Sequence, residues 1–204
     1  MDATNSNVRP STLALAVLSL LGVGPLHPYG MQRLMKQWGK DDVVNVGQRA
    51  NLYKTIKRLL DAGLIAVRQT ERDQLYPERT VYELTDAGRH EAVVWVTDML
   101  GTPRNEFPVF PAALSFAMLL SPDELRSALE RRAADMRERL TEIEQTIETY
   151  SASLPKISLL DDKYQRTMVA AELAWIDGVV ADLRAGDLTW GDDLAQIASS
   201  YMTE

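Results

Sequence analysis

The apolar positions of the first third of the chain fall into three helical groups. STLALAVLSLLGVG, residues 11–24, is apolar on nearly every side, which predicts a helix covered on most faces and ended by Gly22, Gly24 and Pro25. HPYGMQRLMKQWG, residues 27–39, opens on a proline turn and places Met31, Leu34, Met35 and Trp38 on one helical stripe. A polar loop from Gly39 to Gly47 separates it from GQRANLYKTIKRLLDAGLI, residues 47–65. That segment divides cleanly. Leu52, Ile56, Leu59 and Leu60 fall on one side; Asn51, Lys54, Thr55 and Arg58 fall on the other; Gln48 and Arg49 stand at the start. Gly63 is placed as its C-terminal stop. Two strand-like runs follow, LIAVRQ (64–69) and RTVYELT (79–85), with the polar TERDQLYPE (70–78) between them as a long hairpin tip. Three small helices and a hairpin form the winged helix-turn-helix pattern, which small protein-binding modules also share.

Beyond residue 85 the period stays helical. Thr85 is a good N-cap for DAGRHEAVVWVTDML (86–100), where Ala87, Glu91, Val94, Trp95 and Met99 recur at helical spacing. The three prolines of GTPRNEFPVFP (101–111) mark a linker, and AALSFAMLL (112–120) reads as a short apolar helix. SPDE (121–124) is the clearest start signal in the chain: Ser121 as cap, Pro122 at the first helical position, Glu124 closing a capping box. The long helix it opens carries Leu125, Leu129, Met136, Leu140, Ile143, Ile147 and Tyr150 at steps of mostly four and three, and Pro155 ends it. A second helix is expected from about Lys163 to Arg184, with Tyr164, Met168, Ala171, Trp175, Val179 and Leu183 as its stripe and Gly186 as its stop. The tail reads either as one more short helix, with Leu194, Ile197 and Tyr201 inward, or as a frayed end. The expected architecture is mainly α: a winged helix-turn-helix domain with a two-stranded wing (1–100), then an α-helical dimerisation domain (101–204).

Charge changes this picture. The 204 residues carry a net charge of −7, which by itself argues against nucleic acid. The halves differ: 12 Lys and Arg stand against 11 Asp and Glu up to residue 100, and 10 against 18 beyond it. Local positive potential, not a basic whole chain, is what DNA requires, and only the first half supplies it. There is no cysteine, and with two histidines a zinc site has no ligand set. The N-terminus lacks a signal-peptide charge pattern, and the run Leu13–Leu21 is too short to span a bilayer, so no membrane partner and a cytoplasmic location are expected.

The same residues carry a resemblance. LALAVLSLLGVGPLHPYGMQRLM resembles the opening of PadR-family transcriptional regulators, including the GPLHPYG turn; NLYKTIKRLLDAGLI is similar to that family's third helix; YPERTVYELTDAGR is similar to its second wing strand and the entry to helix four. The likeness runs over about residues 13–100, and ELAWIDGVVADL is more weakly similar to the helical dimerisation domain of longer members. The resemblance implies a homodimer that binds a palindromic double-stranded operator, commonly as a repressor, often released by a small aromatic or hydrophobic effector. The wing departs from the pattern: TERDQLYPERT stands where many relatives have a glycine- and arginine-rich tip, leaving Arg72 and Arg79 as its basic candidates.

Several residues are then singled out, each with a plainer reading beside it. Gln48, Arg49, Asn51 and Lys54 stand at the end of the third helix that enters a major groove, where Arg reads guanine and Asn or Gln reads adenine; the alternative is a solvated face. Thr55 shares that polar side; Arg33, Lys36, Lys57 and Arg58 suit phosphates better than bases, and Gln32 joins the DNA-binding candidates. Tyr53 either reaches a phosphate through its hydroxyl or packs in the core. Trp95, with Met99, Phe107 and Phe110, lines an effector pocket by analogy with drug-responsive relatives, or Trp95 only packs and the phenylalanines only staple the linker. Leu129, Met136, Leu140, Ile143, Trp175 and Val179 either pack within the chain or also pair across a two-fold axis, which would set two reading helices about 34–36 Å apart. Neither His27 nor His90 has a nucleophile or acid beside it in sequence, so no enzyme, cofactor or metal is expected. The competing function is a winged-helix scaffold module that binds protein and not DNA.

Overall fold

In the computed structural model the described residues are 8–40, 44, 49–73 and 76–191, with the backbone alone described for 70–73 and 76–79. The chain divides into two compact units, Met1–Asn105 and Glu106–Glu204.

In the first unit, α1 (Thr12–Val23) is capped by Ser11, whose hydroxyl accepts the Ala14 N–H at 3.2 Å. Ala14, Val17, Leu18, Leu20 and Leu21 are buried, as its apolar girth requires. Helix α2 (Pro28–Gln37) begins at His27, whose Nδ1 accepts the Gly30 N–H at 2.8 Å, with Pro28 at the first helical position. Met31 and Met35 are buried, but Trp38, expected on the same stripe, is 46% exposed because it caps the helix end. Helix α3 (Arg49–Asp61) lays Leu52, Thr55, Ile56 and Leu59 into the core. The buried apolar side chains of α1, α2 and α3, with Val8, Leu64, Ile65 and Trp95, form one hydrophobic cluster.

The wing is longer than alternation predicts. Strands β1 (Ile65–Asp73) and β2 (Tyr76–Leu84) pair antiparallel from Ile65 opposite Leu84 to Asp73 opposite Tyr76. Most of the supposed tip is therefore strand. A ribbon paired through its backbone needs no apolar face, so its polar sequence hid it. Leu26 adds a one-residue bridge, exchanging both backbone bonds with Tyr82 at 2.9 and 3.0 Å. Helix α4 (Asp86–Gly101) starts at Thr85 as expected.

In the second unit, α5 (Val109–Leu114) and a 3-10 turn (Ala117–Leu119) replace the single apolar helix expected over 112–120. Helix α6 (Pro122–Tyr150) opens on the full capping box: Ser121 N–H and hydroxyl both donate to Glu124 Oε2, at 2.8 and 2.7 Å, and Glu124 N–H donates back to the hydroxyl at 3.3 Å. These bonds to its charged form, the backbone one foremost, hold the Glu124 carboxyl below its ordinary 4.5. After a 3-10 turn (Lys156–Leu159), α7 (Leu160–Ala185) returns alongside α6 and ends on left-handed Gly186, φ +79°. The tail helix considered for residues 192–204 lies outside the described residues.

The α6–α7 seam buries Leu125, Leu129, Ala133, Ile176, Val180 and Leu183. Ion pairs Arg132–Glu172, Arg137–Asp177 and Glu130–Arg184 step along it. Such half-exposed pairs contribute at most about 1 kcal/mol each, so they fix the register of the two helices more than they hold them together.

Candidate nucleic-acid interface

Because α3 buries Leu52, Thr55, Ile56 and Leu59, its remaining faces have fixed directions. Ala50, Lys54, Lys57 and Asp61 follow one another along the line opposite the core, all exposed. Arg49 and Tyr53 flank that line on one side; Asn51, exposed, and Arg58, half-buried, flank it on the other. Small Ala50 at the centre of the first turn leaves nothing to hold the helix away from a surface, and its methyl suits a thymine methyl. Alanine offers no polar signal, so a pattern of donors does not reveal it.

Charge is not even along this face. Toward the C-terminal end Lys57 Nζ donates to Asp61 at 2.9 Å, cancelling the charge there. Arg49 and Lys54 form no ion pair among the described residues. The uncompensated positive potential therefore sits over the N-terminal turns, the end that also carries the positive pole of the helix dipole. Arg58, read as a phosphate contact, donates through Nη2 to the Arg9 carbonyl at 3.2 Å. With Val8 buried in the core, this bond ties the segment ahead of α1 across the end of α3 and brings exposed Arg9 beside it. Arg9 has no periodic context, so nothing in the sequence pointed to it.

Thr55 is 6% exposed and faces the core, which removes it from the reading face. One turn from Leu52 and Leu59, its short side chain fills a place in the apolar stripe; pattern reading classed it by its hydroxyl. Tyr53 is 56% exposed, so its ring does not pack in the core. On α2, Arg33 and Lys36 are exposed and Gln32 is half-buried. Gln48 lies outside the described residues. Arg72 and Arg79 belong to the paired strands, Arg79 opposite Glu71, but their side chains lie outside the described residues.

Of the four residues read as an effector pocket, Trp95 and Met99 belong to the first unit and Phe107 and Phe110 to the second. Trp95 is 3% exposed, inside the first unit's core, with its indole N–H donating to Glu91 at 2.7 Å. It packs there, and a buried indole needs such a partner for its N–H. Met99, on the same helix, is half-buried. Phe107 is exposed, at φ 49°. Phe110 meets Trp175 edge-on, centroids 6.1 Å apart, beneath the Arg132 guanidinium at 3.8 Å.

Leu129 and Ile143 are buried within the chain, so they are taken up before any second copy arrives. Met136, Leu140 and Val179 are half-buried, and Trp175 is half-exposed. The stripe read for α7 divides: Tyr164, Met168, Ala171 and Trp175 are exposed, whereas Val179 is half-buried and Leu183 is buried beside Ile176 and Val180.

Residues 17–93 match the family model described as the transcriptional regulator PadR-like family. No curated protein matches the chain. Among solved structures, the fold is shared with Bacillus subtilis PadR in complex with operator DNA, at 21% identity and TM-score 0.69, over 85% of this chain and 99% of that one. The same regulator in complex with p-coumaric acid matches at 19% identity and TM-score 0.65, over 90% and 98%. The Vibrio cholerae virulence activator AphA matches at 19% identity and TM-score 0.60, over 85% and 99%.

Proposed function

We propose that this chain, whose winged-helix unit is PadR-like over residues 17–93, is a dimeric DNA-binding repressor released by a small aromatic or hydrophobic effector. The observation that carries the reading is the N-terminal half of α3. Arg49, Ala50, Asn51 and Lys54 are exposed there on a helix whose opposite side is locked into the core. Arg49 and Asn51 have the donor geometry for bases; Arg33, Lys36 and Arg9 supply phosphate contacts that orient the unit. The operator complex of the B. subtilis relative supports this use of the fold. A scaffold role is not favoured by these relatives.

Support for the dimer lies on α7. Leu160, Tyr164, Met168 and Trp175 form an exposed apolar line, with exposed Ile157 just ahead of it. Contiguous apolar surface of this kind marks an interaction site, and a second copy of this chain is the occupant we assign to it. The effector class rests on the p-coumaric acid complex of the relative, and with Trp95 buried we place a flat aromatic guest against Phe110 and Trp175.

Selection of duplexes from fragmented genomic DNA by the full chain tests the reading. The expected product is an inverted repeat whose half-sites lie about 10 base pairs apart, or a multiple of that. It should be released by an aromatic carboxylic acid in the wild type and not in Phe110→Ala. Retention of no duplex over a random competitor would overturn the proposal.

A further inference from the structure

The C-terminal end of α3 is held by another element. The helix closes in a double turn: Gly63 N–H donates to Leu60 O at 2.9 Å and Leu64 N–H reaches back to Leu59 O at 3.0 Å, with Gly63 at φ +70°. The carbonyls of Gly63 and Leu64, which point out of that turn, are both taken by one residue of the strand-to-helix junction ahead of α4. Thr85 Oγ1 donates to Gly63 O at 2.8 Å, and Thr85 N–H donates to Leu64 O at 3.2 Å. The same Oγ1 accepts the Gly88 N–H at 3.0 Å, so the hydroxyl that caps α4 also bonds the end of α3. Gly88 lets the two backbones meet: a Cβ there would lie 1.9 Å from Leu64 O.

We propose that Thr85 is a positioning residue for DNA recognition, fixing the tilt of α3 by pinning its last turn to the first turn of α4. A cap alone would need only the Gly88 bond, and a turn alone would need only the glycine. The shared hydroxyl makes the two helix ends one rigid corner. The far end of α3 carries Arg49 and Asn51, roughly 1.5 Å per residue away, so a small rotation at the corner is enlarged where bases are read. Any force that moves α4 therefore moves the reading end, and α4 runs directly into the segment joining the two units. This inference rests on the DNA-binding reading above.

Thr85→Val removes the hydroxyl and keeps the volume; Thr85→Ser keeps the hydroxyl. Binding of a selected duplex and of a random duplex is measured by anisotropy with the full chain, at a temperature where far-ultraviolet circular dichroism shows each variant folded. Thr85→Val should lower affinity for the selected duplex about five- to tenfold, the scale of one hydrogen bond, and leave random-duplex affinity unchanged. Thr85→Ser should stay within about twofold of wild type. Equal loss on both duplexes, or wild-type discrimination in Thr85→Val, would overturn the role. If the wild type selects no duplex, the reading of function fails separately, and amide exchange still tests the corner. Faster exchange at Gly63 and Leu64 in Thr85→Val, restored in Thr85→Ser, supports it; unchanged exchange refutes it.

Discussion

Gly88→Ala sets two effects of opposite sign against each other. In a helix alanine is preferred to glycine by about 1 kcal/mol, so propensity predicts a more stable protein. The structure predicts the reverse. The added Cβ would stand 1.9 Å from Leu64 O, 2.9 Å from Leu64 C and 2.9 Å from Leu84 Cδ1. Carbon–oxygen approaches in proteins begin near about 3.3 Å, so the two backbones must part by more than ~1 Å. Parting breaks the Thr85 N–H bond to Leu64 O, already 3.2 Å long, and strains the hydroxyl bond to Gly63 O. One or two hydrogen bonds at about 1 kcal/mol each, with overpacking strain of about 1–3 kcal/mol, outweigh the propensity gain. A net loss of about 1–4 kcal/mol remains, and at about 4–8 °C per kcal/mol for a unit of this size the melting temperature falls by roughly 4–30 °C. Gly178 is the control: it lies exposed inside α7, and a Cβ there meets nothing within 4 Å. Gly178→Ala should stabilise its own unit by about 0.5–1 kcal/mol. Thermal unfolding followed by circular dichroism compares both with the wild type. A Gly88→Ala protein melting at or above the wild-type temperature would refute the close approach as a constraint.

Three further outcomes follow from the same contacts. Trp95→Ala empties a buried site and removes the indole bond to Glu91, and should cost the first unit about 3–5 kcal/mol in urea unfolding; a loss under about 1 kcal/mol would contradict the packing described. Glu124 is held below its ordinary 4.5 by Ser121, so its contribution to the folded state is complete above pH 4.5 and disappears as pH falls through the lower folded-state value; Ser121→Ala should flatten that acid dependence in helicity measured from pH 6 to 2.5. Lys54→Ala should reduce the slope of log affinity against log salt by about 1, whereas Lys57→Ala, whose charge Asp61 already cancels, should change it by less than about half as much.

What the sequence disclosed were the features whose signal is local or periodic. Leu52, Ile56 and Leu59 recur at three and four because one side of α3 is buried, and Ser121 with Glu124 marks a helix start because the cap is made by neighbours in sequence. Other features carry no such signal. The polar ribbon from Thr70 to Thr80 pairs through its backbone and needs no alternation. Leu26 joins the sheet as a single residue, too short to show a period. On α7 apolar residues line both sides, so the periodicity finds Leu183 but not Ile176 and Val180, which share the core with it, while Tyr164, Met168 and Trp175 are exposed. Thr55 reads as polar by type although its position is apolar by geometry. The corner of Gly63, Thr85 and Gly88 joins residues more than twenty apart, and its parts appeared separately as a helix stop and a helix cap.

The central claim is that the first turns of α3 read DNA. The direct measurement is the affinity of Arg49→Ala plus Lys54→Ala for the duplex that the wild type selects, at matched salt and with folding verified. Losing one base-reading pair at about 1–3 kcal/mol and one further cation predicts a fall of at least about tenfold, larger for the selected duplex than for a random one. A double variant that holds the selected duplex as tightly as the wild type would contradict the account.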